Sequence, residues 1–77
     1  MEIMLCDMKP GVRAVVTKIP DENSLKNRLR EFGMISGTEV YCRFLSPSGD
    51  LKALELRGTV IAVRRKDLIG IRARRCV

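Results

Sequence analysis

The stretch at residues 25–40, LKNRLREFGMISGTEV, decides the fold, because it joins a short amphipathic helix to two glycine turns and the start of a strand. Leu25, Leu29 and Phe32 recur at helical spacing and share one face of that helix. Gly33 lacks a Cβ and can take the left-handed conformation that ends a helix. A second glycine shortly afterwards permits the turn into the strand. We therefore predict one helix that covers a small sheet.

The remainder of the chain reads as short strands separated by turns. Alternating apolar and β-branched residues indicate the strands, and Pro and Gly residues mark the turns between them. A small sheet avoids exposed edges most simply by closing on itself. We predict a single domain over residues 1–77: a mostly β, five-stranded, SH3-like antiparallel barrel with one short helix between strands 1 and 2. The predicted strands are residues 12–19, 38–46, 51–57, 59–64 and 70–75.

Side-chain alternation makes two further predictions about the strands. The apolar residues of the first strand stay in phase only if a bulge near residues 17–18 returns Ile19 to the core face. In the second strand, strict alternation places Phe44 on the core face together with Val40.

Composition limits the class of protein. A chain of 77 residues, 45% of them hydrophobic, is long enough for one small globular domain. No apolar run approaches the roughly 18 residues of a membrane helix, and the opening MEIMLCDMK lacks the basic segment of a secretory signal. The three cysteines are an odd number without paired spacing, which fits a reducing compartment. We expect a cytoplasmic protein.

The net charge of +6 is concentrated at one end of the sequence. Residues 1–56 hold eight basic and eight acidic residues, whereas residues 57–77 hold seven basic residues against Asp67 alone. Such a cationic stretch favours an acidic partner, which can be a protein face, anionic lipid or nucleic acid. Solvated arginines on an outer strand would give the same pattern.

No constellation of residues indicates catalysis or a metal site. The chain has no histidine, its cysteines are separated by 35 and 33 residues, and it has no phosphate-binding glycine loop. We predict no enzymatic activity, no catalytic residue, no metal ligand and no cofactor. A small nucleic-acid-binding barrel is the main alternative on charge, although Tyr41 is the one plausible stacking platform.

Five motifs run along the chain in order: LxxMKPG at residues 5–11, RLxxFGMxxGT at 28–38, SPxGD at 46–50, RGxxIAVR at 57–64 and KDLxxI at 66–71. In this order and spacing the chain resembles the FeoA family, the small cytosolic component of bacterial ferrous iron transport. The match covers nearly the whole chain. Phe32 stands where the family usually has Leu, and Ser36 and Leu51 stand where Pro is common.

The resemblance implies an SH3-like barrel without enzymatic activity, and a protein partner. That partner is the membrane transporter FeoB, contacted at its cytosolic GTPase region or its membrane core. The resemblance marks Leu29 as relevant to the partner. We combine it with the apolar helix edge and the basic last strand into one set of predicted partner contacts. The set is Arg28, Leu29, Phe32, Met34, Arg72 and Arg74.

Other partners are weighed beside this one. We expect no small-molecule substrate, and nucleic acid is the less favoured partner. An unpaired edge strand would permit a weak homo-oligomer. A further alternative is a stand-alone metal-sensing domain, related to the C-terminal domain of the iron-dependent repressors.

Overall fold

The computed structural model describes residues 1–23 and 26–76, which form six strands, one α-helix and two 3₁₀ turns. The elements are β1 (Glu2–Met4), a 3₁₀ turn (Leu5–Asp7), β2 (Arg13–Lys18), α1 (Lys26–Glu31), β3 (Glu39–Leu45), β4 (Leu51–Leu56), β5 (Thr59–Arg64), a second 3₁₀ turn (Arg65–Leu68) and β6 (Arg72–Arg75).

All six strands belong to one antiparallel sheet in the order β1-β6-β2-β3-β4-β5. The prediction of a mostly β fold with one helix between the first two predicted strands is confirmed. The sheet has one strand more than predicted, because β1 lies in the segment that the sequence analysis assigned no strand. Three residues are too few to show a period-two pattern. Within the described residues β1 and β5 are the two edges and do not pair with each other, so the sheet is not closed as predicted.

The core collects apolar side chains from β2 to β6, the helix and both 3₁₀ turns, and the partly buried Ile3 and Met4 of β1 pack against it. Burying a large aliphatic side chain stabilises the fold by about 1.5–3 kcal/mol. The most completely buried of these residues are Leu5, Met8, Ala14, Val16, Leu29, Met34, Val40, Cys42, Leu54, Leu56, Leu68, Ile71 and Ala73.

Two bulges set which side chains face this core. The predicted bulge is confirmed: pairing of β2 with β6 shifts register between Val16 and Lys18, and Ile19 packs against the core. A second shift in β3, between Cys42 and Phe44, leaves the Phe44 side chain 61% exposed. The prediction that Phe44 faces the core is therefore wrong, because one extra residue inverts the alternation beyond it.

The helix ends in a Schellman motif, which explains which of its apolar residues are buried. The Met34 N–H donates to the Leu29 carbonyl (2.9 Å) and the Gly33 N–H to the Arg30 carbonyl (2.9 Å), with Gly33 at a φ of 91°. Leu29 and Met34 belong to the same buried cluster, as the apolar pair that accompanies this motif. Phe32 lies between them in sequence and is 42% exposed. Leu25 lies outside the described residues.

The Gly33→Ala variant is expected to lose about 1–2 kcal/mol of stability from the left-handed backbone alone. The added Cβ would also lie 2.6 Å from Cδ of the Arg57 side chain, which must move aside. Urea unfolding of Gly33→Ala, Arg57→Ala and the double variant separates the two costs, since the double variant retains only the backbone cost. Wild-type stability in Gly33→Ala would show that the left-handed helix end contributes nothing.

A tight turn joins β4 to β5 and fixes their register. Arg57 and Gly58 occupy it with φ values of 49° and 78°, the two positive values of a type I′ turn. The flanking residues Leu56 and Thr59 pair directly, and the ladder continues to Leu51 opposite Arg64. This hairpin places β5 at the outer edge of the sheet.

Candidate partner-binding surface

A groove of about 390 Å³ runs between the helix α1 and the edge strand β5. The helix lines it with Arg28, Leu29 and Phe32, and β5 lines it with the four consecutive residues 61–64. Successive side chains of a strand point to opposite faces. Four in a row can line one groove only if the groove follows the backbone edge of the strand. We call this feature the α1–β5 groove.

The groove has an apolar base and an apolar wall. Leu29, Ile61 and Val63 are buried side chains that also belong to the core, so they present a fixed surface. Phe32 is 42% exposed and supplies the wall that a bound molecule would cover. Aromatic side chains, phenylalanine among them, are enriched at protein interfaces.

The charged side chains at the groove are mostly cationic. Arg28 and Arg64 are both exposed, and within residues 1–23 and 26–76 neither takes part in an ion pair. Asp67, from the second 3₁₀ turn, is the one carboxylate in the lining. The side chains that line the groove therefore carry one net positive charge.

A short anchored segment follows the helix. The buried Thr38 hydroxyl accepts the Ile35 N–H (3.1 Å) and donates to the Gly33 carbonyl (2.9 Å). These bonds fix the chain between the helix end and β3, and they leave the Ile35 side chain 42% exposed. Ile35 thus adds a second exposed apolar side chain shortly after Phe32.

The structure brings together three of the six predicted partner contacts. Arg28, Leu29 and Phe32 line the α1–β5 groove, although Leu29 is buried and contributes only its contour. Met34 is fully buried and does not line the groove. The remaining two, Arg72 and Arg74, are exposed on β6, which three strands separate from β5 in the sheet order.

The basic end of the sequence is partly neutralised in space. β1 pairs with β6, and the Arg72 guanidinium lies 2.7 Å from the Glu2 carboxylate. The Arg65 guanidinium likewise lies 2.9 Å from the Asp7 carboxylate. Acidic residues near the start of the chain thus pair with basic residues of its last quarter. The charges are therefore less separated on the folded surface than they are along the sequence.

The ring of Tyr41, the predicted stacking platform for a nucleic-acid base, is already in contact with the Arg13 side chain. The Arg13 guanidinium lies 5.2 Å from the centroid of its ring, a cation–π arrangement. Arg13 is itself 3.3 Å from the Glu39 carboxylate. One face of the Tyr41 ring is therefore already covered by a side chain of the protein itself.

A buried lysine is the feature that sequence reasoning missed. Lys52 is 2% exposed, and its Nζ donates to the carbonyls of Cys6 (2.8 Å) and Met8. Burial lowers the pKa of the Lys52 ammonium below its ordinary value, because the charged form loses its water. The signal was present in the sequence, since alternation puts Lys52 on the same strand face as Leu54 and Leu56.

The cysteines show no reactive arrangement. All three are free, and burial raises the pKa of the Cys6 and Cys42 thiols, which keeps them protonated. Within the described ranges no three His, Cys, Asp or Glu side chains are grouped so that they could hold a metal ion. The same described residues contain no helix long and apolar enough to cross a membrane.

Comparison with known proteins identifies relatives by sequence and by fold. The model of the FeoA domain matches residues 3–75. An NMR structure of a FeoA-like protein from Clostridium acetobutylicum aligns with a TM-score of 0.89 and 26% identity, over 99% of this chain and 88% of that one. FeoA from Chlorobium tepidum aligns with a TM-score of 0.88 and 27% identity, over 97% and 71% of the two chains. No curated protein matches the chain.

A third structure bears on the fold alone. The zinc complex of Stenotrophomonas maltophilia FeoA, a prokaryotic SH3 domain protein, aligns with a TM-score of 0.71 and 23% identity, over 96% of this chain and 99% of that one. The predicted SH3-like fold is thereby confirmed. Since the family model covers nearly all of the sequence and the solved relatives share the fold over almost its full length, the chain belongs to the FeoA family and has an SH3-like fold.

Proposed function

We propose that this chain is a cytosolic accessory protein of bacterial ferrous iron uptake that binds the membrane transporter FeoB and modulates it, with no enzymatic activity of its own. Membership of the FeoA family supports the link to iron transport. The S. maltophilia relative has been described as a candidate ferrous iron transport activating factor. The observation that carries the proposal is the α1–β5 groove, which combines an apolar base with an exposed aromatic side chain and two arginines that form no ion pair in the described part of the chain.

The proposal gives the predicted residues different roles. Phe32 and Arg28 are exposed and would touch FeoB directly. Leu29 and Met34 are buried and would contribute indirectly, by holding α1 and its Schellman end in place. Arg74 remains available as a separate cationic contact on β6.

The Phe32→Glu variant is expected to weaken FeoB binding by about tenfold, because it removes an aromatic side chain from the groove. The measurement is an amide NMR titration of the labelled chain with the cytosolic region of FeoB. Shifts should cluster on α1 and β5. Phe44→Glu is the matched control, since Phe44 is 61% exposed on β3 and does not line the groove.

Two results would contradict the proposal. In the first, the cytosolic region of FeoB produces no amide shifts in the labelled chain, even when it is added in large excess. In the second, Phe44→Glu weakens binding as much as Phe32→Glu. A parallel titration with an unspecific oligonucleotide tests the alternative partner, whose affinity would fall steeply with added salt.

A further inference from the structure

Among the residues that the structure describes, the backbone groups on the outer side of β5 have no hydrogen-bond partner. The Arg65 N–H donates to the Asp50 carbonyl (2.7 Å), which fixes the phase of the β4–β5 ladder. Counting back from that pair, the odd-numbered residues of β5 bond to β4. Val60, Ala62 and Arg64 therefore direct their N–H and C=O groups outward. Within residues 1–23 and 26–76 no backbone hydrogen bond reaches this side of the strand.

β5 has few of the features that usually protect an edge strand, and the charged Arg64 at its end is one of them. Proteins blunt such edges with proline, lysine, a bulge or a very short strand. The β5 sequence TVIAVR has no proline and no lysine, its pairing with β4 is regular, and Val60 is 51% exposed. The opposite edge, β1, is only three residues long. A weakly protected edge beside a groove is the arrangement that accepts an added strand.

The charges at this edge select the kind of strand. Arg28 on the helix and Arg64 at the end of β5 line the groove from its two sides, and neither is paired within the described part of the chain. Lys66 follows in the second 3₁₀ turn and shares a surface depression with Arg64. A second copy of this chain would bring the same cations together, so an acidic partner is favoured.

We propose that the α1–β5 groove binds an extended acidic segment of a partner protein by strand addition. The segment pairs with the outward backbone groups of Val60, Ala62 and Arg64. Its apolar side chains rest against Phe32, and its carboxylates meet Arg28 and Arg64. This inference rests on the proposed function in that it concerns the same groove, and it adds the mode of binding and the chemistry of the bound segment.

The test uses a blocked heptapeptide of alternating glutamate and valine, titrated into the labelled full chain. We expect shifts of the amides of Val60, Ala62 and Arg64. Ala62→Pro removes an outward N–H while leaving the bonds to β4, because proline is tolerated where the N–H of an edge strand faces solvent. We expect this variant to bind about tenfold more weakly. Ala62→Ser is the matched control, since it retains the N–H.

Two further reagents test the acidic character of the segment. The charge-reversed double variant Arg28→Glu/Arg64→Glu is expected to bind the glutamate peptide about tenfold more weakly. The same peptide with lysine in place of glutamate is expected to bind the wild-type chain poorly. An N-methylated glutamate peptide, unable to donate its hydrogen bonds, should not bind. If Ala62→Pro disturbs the fold, the peptide series on the wild-type chain decides the question.

Three outcomes would overturn the inference: shifts on β1 instead of β5, equal binding by Ala62→Pro with its fold intact, or equal binding of the lysine peptide. Titration with the cytosolic region of FeoB separates this inference from the proposed function. If FeoB binds the wild type and Ala62→Pro equally well and the glutamate peptide does not bind, strand addition is contradicted and the proposed function is supported. If the glutamate peptide binds and FeoB does not, the proposed function is contradicted and strand addition at the α1–β5 groove is supported.

Discussion

Replacing Leu29 with alanine is expected to lower the free energy of unfolding by about 2–5 kcal/mol, the range for truncating a buried leucine. Leu29 is 2% exposed and belongs to the main core cluster. Its carbonyl also receives the Met34 N–H that ends the helix. A loss of this size is a large share of the stability of a small domain. Urea unfolding followed by circular dichroism measures it.

The matched control is Phe32→Ala on the same helix end. Phe32 is 42% exposed, so its truncation is expected to lower the free energy of unfolding by less than about 1 kcal/mol while weakening partner binding. The two variants separate folding from recognition, since any binding defect of Leu29→Ala must be corrected for the unfolded fraction. If Leu29→Ala were as stable as the wild type, the helix would not be anchored as described.

Lys52→Ala is expected to cost a similar amount, about 2–5 kcal/mol, because it opens a cavity and removes the donor to two carbonyls. The Nζ links β4 to the Cys6 and Met8 carbonyls, far away in sequence. In the variant the Cys6 carbonyl would still accept the hydrogen bond from Arg65 Nε (3.1 Å), whereas the Met8 carbonyl would lose its bond to Lys52. Lys52→Met retains the side-chain volume and removes a buried charge, so its loss should be smaller.

The same lysine predicts how stability depends on pH. Burial lowers the pKa of Lys52, so the unfolded chain binds this proton more tightly than the folded one. The cost of burying the charge is fully present below the lowered pKa and disappears as pH rises toward the ordinary value of 10.5. Burial raises the pKa of the Cys6 and Cys42 thiols, and their effect is opposite: above about 9.0 they reduce stability.

Comparison with Lys52→Met removes the part of the thiol contribution that does not depend on Lys52, whose charge lowers the pKa of both thiols. The free energy of unfolding of the wild type, minus that of the variant, is expected to increase as the pH rises through this window. Chemical denaturation at several pH values between neutrality and 10.5 measures the difference. A difference that stays constant or decreases with pH would mean that Lys52 does not carry a buried charge.

Sequence periodicity predicted the helix and most strands because those elements repeat a pattern over several residues. It also placed the bulge in β2, since Ile19 would otherwise fall out of phase. It failed for Phe44, where nothing in the composition of β3 marks the extra residue. The strand β1 was missed because three residues carry no period, and its pairing with β6 depends on the tertiary fold.

The candidate site was predictable only in part. The helix residues Arg28 and Phe32 follow from an amphipathic face and from the resemblance to the FeoA family. The burial of Met34 follows from Schellman geometry, which local sequence allows but does not require. The part contributed by β5 could not be predicted, because a strand sequence does not state whether the strand lies at an edge. That property depends on the order of all six strands.

The position of β6 has a consequence for how the chain folds during its synthesis. β6 lies between β1 and β2, and the Arg75 N–H donates to the Met1 carbonyl (2.9 Å). Until residues 72–75 leave the ribosome, β1 has no neighbour and β2 lacks one of its two. Pairings this distant in sequence make folding slow and leave strand edges open meanwhile. The nascent chain is therefore expected to complete its sheet only after residues 72–75 have left the ribosome, and to expose unpaired strand edges until then.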